Sequence, residues 1–129
     1  MVYYCKMMSE KLQNRIGWVL SILLSLVFVM SATMKITGNE EALKQAMAMG
    51  FENSSYQVLG YLELLAVVLF LIPRTGVVGV LLLMVYMGGA ICAHLLTKQP
   101  LLPVVLFEVM LWVAAAFRFP EIRNRLLNA

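Results

Sequence analysis

Residues 16–34 read IGWVLSILLSLVFVMSATM, nineteen positions without a charge between Arg15 and Lys35. About 20 apolar residues wound as a helix, at 1.5 Å per residue, cross the roughly 30 Å hydrocarbon core of a bilayer. The run therefore predicts a membrane span, and it decides how the rest of the chain is read. Residues 75–97, TGVVGVLLLMVYMGGAICAHLLT, give a second span, uncharged when His94 is neutral. Two weaker spans follow the same logic: YQVLGYLELLAVVLFLIP at 56–73, interrupted by Glu63, and LLPVVLFEVMLWVAAAF at 101–117, interrupted by Glu108. Lipid offers no partner to a backbone N–H or C=O, so spanning segments are helices or closed barrels. The Val/Leu runs here do not alternate as barrel strands would, which leaves helices.

Composition points the same way. Of 129 residues 62% are hydrophobic and 13% charged, with a mean hydropathy of +0.86. Soluble domains are about 45–50% apolar and about 25% charged, and a small domain buries too little of its surface to hide such an excess. The length suits one domain. Cys5 and Cys92 lie far apart, whereas thiol exchange wants two sulfurs within reach of each other; both read as small hydrophobes. No Cys/His cluster suggests zinc, and His94 with two carboxylates is a thin set for any other metal; no glycine-rich loop suggests a nucleotide. The formal charge of +3 is scattered over the helix ends and does not form a nucleic-acid patch. The ten methionines read as packing material.

The expected fold is all-α: a four-helix transmembrane bundle, up-and-down, with helices at about 15–36, 56–73, 76–96 and 101–119. The connections PRTG at 73–76 and KQP at 98–100 are short enough to force antiparallel hairpins. Between the first two spans, Asn39 suits an N-cap, Glu40 and Glu41 a first turn and Gly50 a terminus. Segment 38–50 is therefore expected to be a short amphipathic helix with Ala42, Ala46 and Met49 on its apolar side. Ser54 or Ser55 is expected to cap the second span. The basic front of Lys6, Lys11 and Arg15 resembles a secretory leader, but the apolar run is long and MSATMK has no clean cleavage site, so the span reads as retained.

Orientation follows the excess of basic residues at one set of ends. Lys6, Lys11, Arg15, Arg74, Arg118, Arg123 and Arg125 fall on one side; Lys35, Lys44 and Lys98 fall on the other. Both termini are then cytoplasmic, with segment 1–14 and a basic tail at 120–129 inside and segment 38–50 outside. The expected location is the cell membrane, multi-pass, of bacterial inner-membrane type.

Each span brings one ionisable group to the outer half: Lys35, Glu63, His94 and Glu108. A charge at mid-bilayer costs about 2.5–3.5 kcal/mol on insertion scales, so such groups face the bundle interior and find partners. Lys35 is the natural counter-ion for one carboxylate, unless it snorkels to water, and His94 can donate to the other. Two neighbouring carboxylates would leave at least one protonated at neutral pH. Tyr86, Ala90 and His94 share a helical face, as do Gly60, Glu63 and Val67, and Glu108, Trp112 and Ala115. Gly88, Gly89, Ala90 and Ala93 form a small-residue stretch open to close helix approach. Lys35, Glu63, Tyr86, His94 and Glu108 are therefore the candidate binding residues, set against the alternative that the polar pairs only fix helix register.

The segments SATMKITG (31–38), MGF (49–51), LGYLELLAVVLFLIPRTGVVG (59–79), YMGGAICAHLL (86–96) and VMLWVAAAFR (109–118) resemble the DoxX-like family, small four-helix membrane proteins related to DoxX and DoxD. By that resemblance Lys35, Glu63, Arg74, Gly89, Ala90 and His94 fall on recurrent positions of the family, while the role of Glu108 rests on its place in the span alone. The family takes its name from a membrane subunit associated with thiosulfate:quinone oxidoreductase, and relatives around methylamine utilisation imply redox maturation outside the cytoplasm. The absence of paired cysteines in this chain argues against thiol exchange.

Three readings of function follow. The first is a redox subunit, hence part of a membrane oxidoreductase, that binds a quinone head group between Lys35, Glu63, His94 and Glu108. The second is a non-enzymatic binder or carrier of a small hydrophobic molecule or lipid; a carrier of so few helices would work as a homo-oligomer. The third is a scaffold for a partner protein, contacted through 38–53 and the tail EIRNRLLNA.

Overall fold

The computed structural model describes residues 10–127, so the readings of Cys5, Lys6 and the extreme ends of the chain lie outside the described residues. Six helices follow in order: α1 Glu10–Thr37, α2 Glu40–Ala48, α3 Asn53–Leu71, α4 Gly76–Leu96, α5 Leu102–Arg118 and α6 Pro120–Leu127. No strand occurs among the described residues. Three helices, α1, α3 and α4, are long and apolar enough to cross a membrane; α5 and α6 add a fourth crossing if the bent pair is one span. Helix α5, at 1.5 Å per residue, is about 26 Å long and so marginal against the hydrocarbon thickness. Helix α1 packs along both α3 and α5, α3 along α4, and α4 more lightly along α5.

The core along these contacts is apolar, built from Leu24 and Phe28 of α1, Val67 and Phe70 of α3, Leu83 of α4 and Leu111 of α5. Many large apolar side chains, among them Leu26, Leu81, Val85 and Leu106, stay on the outside. That is the surface a bilayer wets. Two hydroxyls of α1 are satisfied one turn back, Ser21 Oγ donating to Gly17 O at 2.7 Å and Thr33 Oγ1 to Val29 O at 2.7 Å.

Two close approaches set the geometry. A Cβ on Gly17 would lie 2.4 Å from the Arg118 backbone nitrogen, so α1 and α5 touch there at backbone distance. A Cβ on Gly60 would sit 3.0 Å from the Lys35 Cβ, which draws α3 onto the end of α1. The expected small-residue contact does not form. Cβ atoms on Gly88 or Gly89 would meet nothing within 4 Å among the described residues, because Gly88 is exposed and Gly89 borders the open cavity.

Helix α2 forms as its signals require. Asn39 Oδ1 accepts from the Glu41 N–H at 3.0 Å, and Gly50 takes a positive φ of +76° after the helix. Its buried Ala42 and Ala46 lie with Tyr56, against Met34, Phe51 and Leu59. Three expectations need correction. Helix α1 begins at Glu10, so residues 10–14 are helical and not a separate segment. Neither Ser54 nor Ser55 caps α3; Glu52 is its N-cap, without a side-chain hydrogen bond. The sequence 120–127 is helix α6, bent 107° from α5 at Pro120. Arg123 Nη1 holds that corner by donating to Ala116 O at 3.4 Å and Phe117 O at 3.1 Å, carbonyls that the end of α5 leaves free.

Candidate functional site

At the end of the molecule where α1 finishes, the residue pattern places Lys35 in the last turn of α1, Glu63 in the middle of α3 and Tyr86 in the second half of α4. The three meet. Lys35 Nζ lies 2.7 Å from Glu63 Oε2, with the two side chains only 11% and 1% exposed. Tyr86 OH donates to the same carboxylate oxygen at 3.0 Å and accepts from Lys35 Nζ. Ser31, one turn before Lys35, accepts from Nζ at 2.9 Å and reaches Oε2 at 3.5 Å. Lys35 also lies over the rings of Tyr86, 5.1 Å from the centroid, and Tyr56, at 5.6 Å. Charged hydrogen bonds and cation–π contacts together offset the desolvation that a buried ammonium incurs. Ser31 escaped the sequence reading, although its position four residues before Lys35 on the same helical face was a usable signal.

His94 and Glu108 do not complete the expected cluster. His94 Nδ1 donates to Ala90 O at 2.7 Å, one turn back in its own helix. Glu108 Oε1 accepts from Trp112 Nε1 at 3.0 Å, also one turn away, and Glu108 Oε2 is buried without a partner among the described residues. Among the described residues no His94–Glu108 pair forms, and no hydrogen bond joins Glu63 to Glu108. The four groups therefore divide: Lys35 and Glu63 are joined, while His94 and Glu108 each bond within their own helix.

Beside the Lys35–Glu63–Tyr86 cluster lies a cavity of about 690 Å³. Such a volume lies within the roughly 300–1,000 Å³ of small-molecule sites. Lys35, Glu63, Tyr86 and His94 all line it, while Glu108 does not. Most of its other walls are apolar, with Phe28 and Phe107 in edge-to-face contact at 5.9 Å between ring centroids. Gln45 and Met49 of the α2 segment, with Phe51, line the end next to α2. Leu62 and Leu65 of α3 and Leu82 and Val85 of α4 line it too, yet also show much of their surface outside. The cavity is thus continuous with the outer face of the helices between α3 and α4.

At the opposite end, Arg118 is 4% exposed. Its guanidinium lies 3.8 Å from the Trp18 ring centroid and 4.7 Å from that of Phe119, and Nη2 donates to Leu71 O at 3.3 Å. The sequence pattern places Arg118 only as a topology-setting charge. Here the arginine stacks between aromatic faces and ties α5 to α1 and α3, a use for which its planar group suits it better than lysine.

A comparison with known families matches residues 19–118 to the DoxX-like family, which takes in the cluster, the cavity and Arg118. No curated protein and no solved structure gives a match.

Proposed function

The chain belongs to the DoxX-like family and is a multi-pass membrane protein with lipid-facing helices, and from that premise we propose that its cavity binds a lipid-soluble small molecule carrying a polar head. The observation behind this reading is the join between the two parts of the site. A largely apolar chamber, continuous with the outer surface between α3 and α4, ends on a buried set of convergent polar groups. Concave apolar sites with a few fixed polar groups are the usual form of small-molecule pockets. An intramembrane ionisable pair is by default a functional feature, because its desolvation must be offset. In this reading Lys35, Glu63, Tyr86 and His94 meet the polar head and Phe107 and its neighbours hold the apolar body. The proposal extends to topology: α1, α3, α4 and α5 cross as an up-and-down bundle with both termini cytoplasmic, in the cell membrane. The basic ring of Lys11, Arg15, Arg74, Arg123 and Arg125 at one end supports that direction. A quinone-linked redox subunit is one member of this class of binder, and the hydrogen-bond pattern below bears on it.

Photolabelling in nanodiscs tests the binding reading. A diazirine-bearing alkyl phenol should label cavity residues such as Leu59 and Phe107 more than outward residues such as Leu81. An Ala90→Trp variant, which fills the chamber, should remove the cavity labels and leave Leu81 as it was. Equal labelling of both faces, unchanged by the variant, refutes the reading.

A further inference from the structure

We infer that the polar end of the cavity is a hydrogen-bond acceptor site, so that its ligand is a hydroxyl-bearing apolar molecule and not a carbonyl-bearing one. The inference rests on the cavity being the ligand site and adds the chemistry of the head group.

The protons can be followed one by one. A lysine ammonium has three, and a tyrosine or serine hydroxyl has one. Those of Lys35 go to Ser31 Oγ, Glu63 Oε2 and Tyr86 OH. The Tyr86 proton goes to Glu63 Oε2, and so does that of Ser31. Tyr56 OH is committed to Gln45 Oε1 at 3.3 Å. His94 bonds a carbonyl through Nδ1, and a carbonyl only accepts, so Nδ1 carries the ring proton. Every donor of the buried cluster is thereby engaged within the protein. Gln45 keeps its amide protons, but it stands on the exposed rim.

What remains open is lone pairs. Three donors converge on Oε2 of Glu63 and none on Oε1, while a carboxylate offers about four acceptor directions. In neutral His94 the nitrogen opposite Nδ1, Nε2, is an acceptor on a residue that lines the same cavity. Lys35 sits against Glu63 as its counter-ion, so the carboxylate oxygens can accept a further hydrogen bond without requiring a cationic ligand. A carbonyl oxygen arriving at Glu63 would face other acceptors, and the free amide protons nearest in the chain are those of Gln45 on the rim next to α2. Leaving buried polar groups unpaired is the strongest source of discrimination between near-isosteric ligands. A phenol or other membrane-soluble alcohol donates to Glu63 Oε1 or His94 Nε2 and leaves the internal network intact. For a quinone-linked protein the same pattern selects the reduced dihydroxy form over the dicarbonyl form.

The test is displacement of the photolabel from wild-type protein in nanodiscs by three competitors with the same alkyl tail: a para-alkyl phenol, its methyl ether and the corresponding para-quinone. The phenol should displace at a concentration at least about ten-fold below the other two, equivalent to about 1.4 kcal/mol. Glu63→Gln puts an amide that donates where a second carboxylate oxygen accepted, so the phenol advantage should fall towards one while the quinone gains. His94→Phe should lower the phenol advantage without raising the quinone. Cavity labelling with equal displacement by phenol and ether, or preferential displacement by the quinone, overturns the acceptor assignment while the cavity stands as a binding site. Cavity labelling that the phenol fails to displace overturns it as well. No preferential cavity labelling removes the binding proposal and, with it, this inference.

Discussion

Removing Lys35 should injure this protein more than removing Glu63, and removing both should injure it least. At 2.7 Å and an effective dielectric of 20, the Lys35–Glu63 attraction is about 6 kcal/mol. Desolvation of each ion costs several kcal/mol, so the pair as a whole contributes little net stability. The single variants behave differently. Lys35→Met leaves a carboxylate that is 1% exposed with only the neutral donors Tyr86 and Ser31, and should cost about 3–5 kcal/mol. Glu63→Leu leaves an ammonium in the last turn of α1 that is already 11% exposed. Its four-carbon stem can carry the charge to water, so about 1–2 kcal/mol is expected. The double variant should come within about 1 kcal/mol of wild type, as apolar replacements of buried pairs often do. The cycle is measured by reversible denaturant titration in bicelles, with a coupling energy above about 2 kcal/mol expected. A coupling below about 0.5 kcal/mol, or a Glu63→Leu loss larger than that of Lys35→Met, refutes the reasoning.

Other expectations concern single contacts. Tyr86→Phe removes a donor to Glu63 and an acceptor for Lys35, and should cost about 1–2 kcal/mol in the same titration. Gly17→Ala places a Cβ 2.4 Å from the Arg118 backbone and should lower stability by more than about 2 kcal/mol, whereas Gly88→Ala, with open space around it, should stay within about 0.5 kcal/mol. Asn39→Ala should cost about 1 kcal/mol locally, read as faster amide exchange across 40–48 with α3 and α4 unaffected. Arg118→Lys replaces a planar group stacked 3.8 Å from the Trp18 centroid by a point charge; a shift in Trp18 emission and a loss of about 1–2 kcal/mol are expected.

The helices were legible in the sequence because solvent decides them: nineteen uncharged residues in lipid, without the alternation of a barrel strand, leave the helix as the backbone solution. Their ends were less so, since Ser54 and Ser55 look like caps as much as Glu52 does. The Lys35–Glu63 pair was readable from depth and helical phase together, each helix presenting one group at a similar level. Depth alone misled for Glu108. Phe107 faces the cavity, and a helix turns about 100° per residue, so the next side chain is swung away from it. His94 and Glu108 each found a partner one turn away, in Ala90 O and Trp112 Nε1. Such local bonds need no second helix to be placed, and residue type does not announce them. Gly88 and Gly89 permit close approach without compelling it, and α4 leaves them uncovered.

The arrangement of the site also gives its parts an order. On the proposed reading a ligand moves through lipid and meets apolar side chains first, Leu62, Leu65, Leu82 and Val85, which belong both to the cavity and to the outer surface. It meets the buried cluster only at depth, where Gly60 has drawn α3 against α1 and brought Glu63 to Lys35. At the far end Gln45, Met49 and Phe51 line the chamber, with α2 fixed by its Asn39 cap and by Ala42 and Ala46 against Tyr56. Replacing α2's capped, small-residue packing with a flexible linker of equal length should therefore let water reach the carboxylate. An acceptor surrounded by water already has donors in excess, so the preference for a hydroxyl over its methyl ether should fall even with Lys35, Glu63 and Tyr86 untouched. Retention of the full preference in that variant would mean that α2 plays no part in keeping the acceptors dry, and that the neighbouring helices alone exclude water from Glu63.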